Sequence, residues 1–298
     1  MNFKPNKINL KYITYPALAT VPLIVGLFAG SLLGVHLLTR RDRKPIRKLR
    51  QLAQSAVKNV SITAEDGVRI SAWYVARPGP NIVILLSGRG TNREENINRA
   101  AFYLDRGYSV LLPDLRATGN SEGDRITFGW EERKDLIAWY QFLQAKGYHE
   151  VAAHGFSLGA ATICYALTEI VDFNFIVLEA CYTDLRKTGE NWLRRMYIPG
   201  VASYLIQPLM DYTLSLSKKK MKPLKYIKKI KCPLFIMGGR KDELVPPKVV
   251  IKLFAANTAR VSRIYFFEDG EHENYSIFYP EEYNRELAAF LESVHHLV

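Results

Sequence analysis

The sequence predicts an α/β fold with a mainly parallel sheet of eight strands and helices on both faces. Three observations predict it. Short apolar runs alternate with helix-like segments, the order of strands joined by crossover helices. The chain has 298 residues with 48% apolar content, enough to bury one large core, and it contains no internal repeat. A serine-centred pentapeptide, Gly155-Phe156-Ser157-Leu158-Gly159, joins an apolar run to an Ala-rich helical one, as at the edge of such a sheet.

The N-terminal segment, 1–39, comes first. From Tyr12 to Thr39 there is no Asp, Glu, Lys or Arg, and Leu, Val, Ile, Ala and Gly dominate. At ~1.5 Å per residue a helix of that length exceeds the ~30 Å of a bilayer core, so a transmembrane anchor is expected at about 13–38. Its length, and the lack of a small-x-small site before the basic residues, favour an uncleaved anchor over a signal peptide. Lys4, Lys7 and Lys11 precede it, whereas Arg40, Arg41, Arg43, Lys44, Arg47, Lys48 and Arg50 follow it in a basic juxtamembrane linker, 40–57. By the positive-inside rule the expected arrangement is a single-pass protein of the cell membrane with its catalytic domain in the cytoplasm. Cys164, Cys181 and Cys232 are scattered and odd in number, which suits a reducing compartment and gives no metal-ligand spacing.

The net charge of +12 invites a nucleic-acid reading, but residues 1–50 hold ten basic and one acidic side chains, so +9 belongs there and +3 to the rest. A juxtamembrane cluster attracts anionic lipid headgroups by about 1 kcal/mol per basic residue. No nucleic-acid motif competes with that explanation.

Residues 58–298 are the expected catalytic domain. Strands are predicted at Val60–Thr63 and Val68–Val75, with Glu65-Asp66-Gly67 as the hairpin turn between them. Others follow at Ile82–Leu86, Ser109–Pro113, Glu150–Gly155, Phe175–Glu179, Leu234–Gly238 and Ser262–Phe267, and an amphipathic helix from Glu281 to Leu297 closes the chain. Ser157 falls on a sharp strand-to-helix turn, where its neighbours must be small and its hydroxyl projects beside a helix N-terminus.

Two further strands end in loops that carry the partners such a serine requires. Asp242 follows the seventh strand and His272 the eighth. A serine hydroxyl is a poor nucleophile until a neutral imidazole accepts its proton, and the imidazole needs a carboxylate to fix its tautomer. His272 is therefore read as general base and Asp242 as its orienter, with Glu243 and Asp184 as rival acids. Of the six histidines only His272 follows the acid in a strand-to-helix loop; His154, on the nucleophile strand, is read as a packed core residue. An oxyanion hole needs two backbone N–H donors. They are assigned to Leu158, directly after the nucleophile, and to Arg89, in the Gly-rich loop after the third strand.

The order Ser, Asp, His is that of α/β-hydrolases. The chain resembles bacterial, membrane-anchored α/β-hydrolases of the prolyl-oligopeptidase-like type, serine peptidase family S9, which are also filed as acyl hydrolases. The resemblance runs over most of residues 58–295. Such relatives carry His-Gly-x-x-x-Asn after the third strand, where this chain has Ser87-Gly88-Arg89-Gly90-Thr91-Asn92. They carry Asp-x-Arg-Gly-x-Gly-x-Ser-x-Gly after the next, where it has Asp114-Leu115-Arg116-Ala117-Thr118-Gly119-Asn120-Ser121-Glu122-Gly123. A Tyr/Phe-Gly-x-x-Glu-x-x-Asp segment matches Phe128 to Asp135. Ser87 in place of histidine, and Ala117-Thr118 in place of Gly-His, are the departures.

The resemblance implies a lid between the sixth and seventh strands, an insertion of about 185–230. There an aromatic and aliphatic stretch, Trp192 to Asp211, precedes the basic run Lys218 to Lys231, so a small helical cap walling an acyl pocket is expected. The expected activity is that of a membrane-tethered serine hydrolase cleaving small acyl esters, thioesters or lipid-like substrates through an acyl-enzyme. The alternatives are an S9-like peptidase acting on short peptides and a hydrolase-fold binding scaffold without turnover. Neither a cofactor nor a metal is implied.

Overall fold

The computed structural model describes residues 11–47, 56–169, 172–195, 203–214 and 221–295; the side chains of residues 11–21, 23, 24, 203, 205, 207 and 295 are outside that description. Helix α1 (Lys11–Thr39) leads into a sheet of eight strands: β1 (Lys58–Thr63), β2 (Arg69–Val75), β3 (Asn81–Leu86), β4 (Ser109–Pro113), β5 (Glu150–Phe156), β6 (Ile176–Glu179), β7 (Leu234–Gly239) and β8 (Ser262–Phe267). Each lies within two residues of its predicted bounds. The spatial order is β1-β2-β4-β3-β5-β6-β7-β8, with β2 antiparallel to β1 and β4 and the other pairs parallel. The β1–β2 turn is closed by Gly67 N–H donating to the Ala64 carbonyl at 2.9 Å.

Helices cover both faces, and β3 shows why its sequence is apolar throughout. Ile82, Ile84 and Leu86 face a core shared with α3 (Glu132–Ala145), α4 (Leu158–Ala166) and α7 (Pro247–Ala256). Val83 and Leu85 face a second core shared with α2 (Ile97–Leu104) and α9 (Pro280–His295). A strand buried on both sides loses the alternation of a half-exposed one. Between β6 and β7 lie α5 (Leu185–Arg195) and α6 (Ser203–Thr213), and a short α8 (Tyr275–Phe278) follows β8.

Among the described residues no helix is long and apolar enough to cross a membrane, so the expected transmembrane helix at about 13–38 gains no support from the structure. The reason is where that expectation falls: many of its side chains lie outside the description, and those remaining are fewer than the ~20 a span requires. Lys4, Lys7, Lys48, Arg50 and residues 218–220 of the basic run also lie outside the described residues. The C-terminal part of α1 packs on the domain, with Ser31, Val35 and Thr39 buried. The chain after it, expected as a linker, runs along the domain surface as far as residue 47, bridging Arg40 to Arg125 and Asp42 to Thr118.

Candidate active site

Ser157 sits between β5 and α4 with φ 49° and ψ −104°, a left-handed backbone that a non-glycine residue enters only at a cost of order 1–3 kcal/mol. The surroundings impose it. Ser157 N–H donates to the Glu179 carbonyl at 2.8 Å, tying the turn to the end of β6. A Cβ at Gly155 would come within 2.5 Å of the Gly159 carbonyl carbon, and one at Gly159 within 2.6 Å of the Leu86 carbonyl oxygen. Both glycines of the pentapeptide are thus required by close backbone approach.

His272, in the loop after β8, places Nε2 2.9 Å from Ser157 Oγ and Nδ1 2.7 Å from Asp242 Oδ2. Because the carboxylate can only accept, the neutral imidazole carries its proton on Nδ1 and presents an acceptor lone pair to the serine hydroxyl. Asp242 is buried, and its Oδ1 accepts from the N–H groups of Leu244 at 2.8 Å and Val245 at 2.7 Å. The three residues expected from their loop positions are therefore brought into one hydrogen-bonded line. The rival acids are elsewhere: Glu243 is exposed, and Asp184 pairs with Lys222 at 3.0 Å.

Arg89 and Leu158 line the same cavity as Ser157 and His272. Among the described hydrogen bonds neither backbone N–H has an acceptor, so both are available to a developing oxyanion. The loop that carries Arg89 is held by Glu95, whose Oε2 accepts from Gly88 N–H at 2.6 Å and from the Thr91 hydroxyl at 3.1 Å. Burial pushes the Glu95 carboxyl up, against the opposing pull of Arg99. Ser87 is buried, with no partner for Oγ among the described residues. Ala117 adopts φ 62°, a left-handed backbone that favours glycine.

The cavity measures about 360 Å³ and is mostly apolar, with walls from Leu38, Phe128, Tyr182, Trp192, Ile206 and Met210. The residues of α5 and α6 that contribute lie in the expected cap. Among the described residues no group of three or more His, Cys, Asp or Glu could hold a metal ion.

Beneath the nucleophile turn lies a buried polar cluster that the sequence reading missed apart from His154. Arg99 binds Glu179 through two hydrogen bonds of 2.8 and 2.5 Å, and Tyr283 donates to the same carboxylate at 2.6 Å. His154 lies 2.5 Å from Glu179 through Nε2 and 3.0 Å from the Tyr103 hydroxyl through Nδ1. Burial, the largest single influence, raises the Glu179 pKa, but Arg99 and His154 together outweigh it and hold the carboxyl well below its ordinary range. Burial lowers the His154 pKa despite the adjacent carboxylate, so the ring is neutral, donating to Glu179 and accepting from Tyr103. The available signal was a glutamate ending the apolar strand Ile176–Glu179 and an arginine on the buried face of α2.

A serine, an aspartate and a histidine that follow β5, β7 and β8 of a mainly parallel eight-stranded sheet, with the serine in a left-handed elbow, define an α/β-hydrolase. That class is matched at the level of family: residues 95–296 fit Peptidase S9, and the chain belongs to the prolyl oligopeptidase family. Among its relatives is the uncharacterized protein YqkD of Bacillus subtilis, 26% identical over 242 residues and 78% of each chain. The uncharacterized membrane protein YNL320W of Saccharomyces cerevisiae is 23% identical over 224 residues, 73% of this chain and 74% of its own. The esterase Pf2001 of Pyrococcus furiosus superposes with a TM-score of 0.72 at 27% identity, covering 85% of this chain and 98% of the esterase.

Proposed function

We propose that the protein is a membrane-tethered serine hydrolase that cleaves carboxylic esters or thioesters of acyl groups through an acyl-enzyme. The observation that carries the reading is the hydrogen-bonded line Ser157–His272–Asp242 opening into an apolar cavity. Ser157 Oγ attacks the carbonyl carbon while His272 Nε2 takes the hydroxyl proton, and Asp242 stabilises the imidazolium. The charge on the former carbonyl oxygen is met by the Arg89 and Leu158 N–H groups. The proton on His272 then passes to the departing alkoxide or thiolate. Water, giving a proton to the same imidazole, attacks the acyl-Ser157; the Oγ–acyl bond then breaks, Oγ takes that proton back, and the carboxylic acid is released.

The acyl preference is supported by the lining of the cavity and by the likeness to the Pyrococcus esterase. Membership of a peptidase family favours the second reading, cleavage of short peptides. The tether is supported by the uncharged stretch from Tyr12 to Thr39 and by the name of the yeast relative as a membrane protein. On this reading the domain is cytoplasmic and its basic N-terminal flank contacts anionic lipid.

A fluorophosphonate probe labels a serine only where a base activates it. Wild type is expected to be labelled and Ser157→Ala not; labelled wild type should then hydrolyse acyl esters or thioesters faster than short peptides. Absence of labelling in folded wild type would favour the scaffold without turnover, and faster cleavage of peptides the peptidase.

A further inference from the structure

Arg89 is joined to the domain's N-terminal helix as well as to the catalytic loop. Its Nε donates to the Leu38 carbonyl at 3.0 Å and its Nη2 to the Leu37 carbonyl at 3.1 Å. These carbonyls belong to the last turn of α1, whose acceptors have no partner within the helix, and a cation is favoured at that end. The Leu38 side chain lines the catalytic cavity together with Ile206 and Met210 of α6.

The last turn is itself fixed in place. Ile126 N–H donates to the Thr39 carbonyl at 2.7 Å, and Asp42 N–H to the Ala117 carbonyl at 2.9 Å. Asn92 Nδ2, from the oxyanion loop, reaches the Lys44 carbonyl at 3.2 Å. Helix, loop and catalytic cavity thus share one set of hydrogen bonds.

We infer that the last turn of α1 completes the active site: Arg89 is a positioning residue whose clamped guanidinium aims its own backbone N–H at the oxyanion, and Leu38 is a specificity residue that limits the acyl chain. The inference rests on the serine hydrolase reading above. It makes the N-terminal helix part of the enzyme's chemistry and gives the acyl cavity a wall outside the cap. Substrates long enough to reach Leu38 feel α1, whereas the shortest acyl groups do not.

The test uses the full chain in detergent and two alkyl fluorophosphonates, one ethyl and one dodecyl, with kinact and KI measured for Ser157. In both, the serine oxygen displaces fluoride from phosphorus and the phosphoryl oxygen occupies the oxyanion position. Leu38→Trp is expected to lower the dodecyl-to-ethyl rate ratio about tenfold, and Leu38→Ala, which removes volume and serves where the tryptophan does not fold, to raise it. Arg89→Met is expected to lower kinact about tenfold for both probes at unmoved KI, with Arg89→Lys recovering part of the loss. A ratio unmoved by the Leu38 variants, or a kinact unmoved in Arg89→Met, overturns the inference and leaves Ser157 as the nucleophile. A wild type that reacts with neither probe overturns both readings.

Discussion

Asp242 owes its orientation to its own backbone neighbours: one oxygen is held by the Leu244 and Val245 N–H groups, which leaves the other facing His272. Asp242→Asn is nearly isosteric but can present an amide N–H to Nδ1, which would put the imidazole proton on the serine side. A loss in kcat/KM of about 10³–10⁴-fold is expected. Glu243→Gln is the control, because that side chain is exposed, and steady-state ester hydrolysis should be unchanged. A loss in the control equal to that in Asp242→Asn would reassign the acid. The Ser157–His272–Asp242 line was legible in the sequence because each residue lies just after a strand, and chain order limits the candidates at such places. Arg89's second role was not legible, since its side-chain acceptors are carbonyls 51 and 52 residues away, which any sequence could supply.

At the scale of elements, the buried cluster of Arg99, Glu179, His154, Tyr103 and Tyr283 ties α2, β6, β5 and α9 together directly beneath the elbow. Strand bounds were legible because apolar runs end where the sheet ends. The cluster was not, because a buried charge is recognised only with its partner, and Arg99 and Glu179 are 80 residues apart. Arg99→Met leaves the carboxylate buried without its cation, at an expected cost of about 3–5 kcal/mol near pH 7. In wild type the Glu179 pKa is depressed, so its contribution is full above the unfolded value of about 4.3 and is lost as pH falls toward the folded one. In the variant burial acts unopposed by Arg99, the carboxyl takes up a proton, and stability falls as pH rises. Unfolding in denaturant should therefore show the gap between the two proteins narrowing from pH 7 to pH 4. A gap independent of pH would mean that Glu179 is not the group destabilised.

At the scale of the whole molecule, two forces could hold the chain to a bilayer, and they differ in their response to salt. The basic residues flanking the uncharged N-terminal stretch act through headgroup charge, which is screened as the Debye length falls from ~10 Å at 0.1 M salt to ~3 Å at 1 M. An apolar helix in the hydrocarbon core is indifferent to that screening. The sequence announced this segment by composition alone, whereas its attachment to the catalytic domain depended on which carbonyls and apolar side chains the end of α1 presents. Full-length protein reconstituted into vesicles containing anionic lipid should float with them at both salt concentrations. Replacing Arg40, Arg41, Arg43, Lys44 and Arg47 with glutamine should leave flotation at 1 M salt unchanged, because the apolar stretch remains. Release of the wild-type chain at 1 M salt would instead make the association electrostatic and peripheral, and would remove the membrane-spanning part of the proposed function while leaving the hydrolase chemistry untouched.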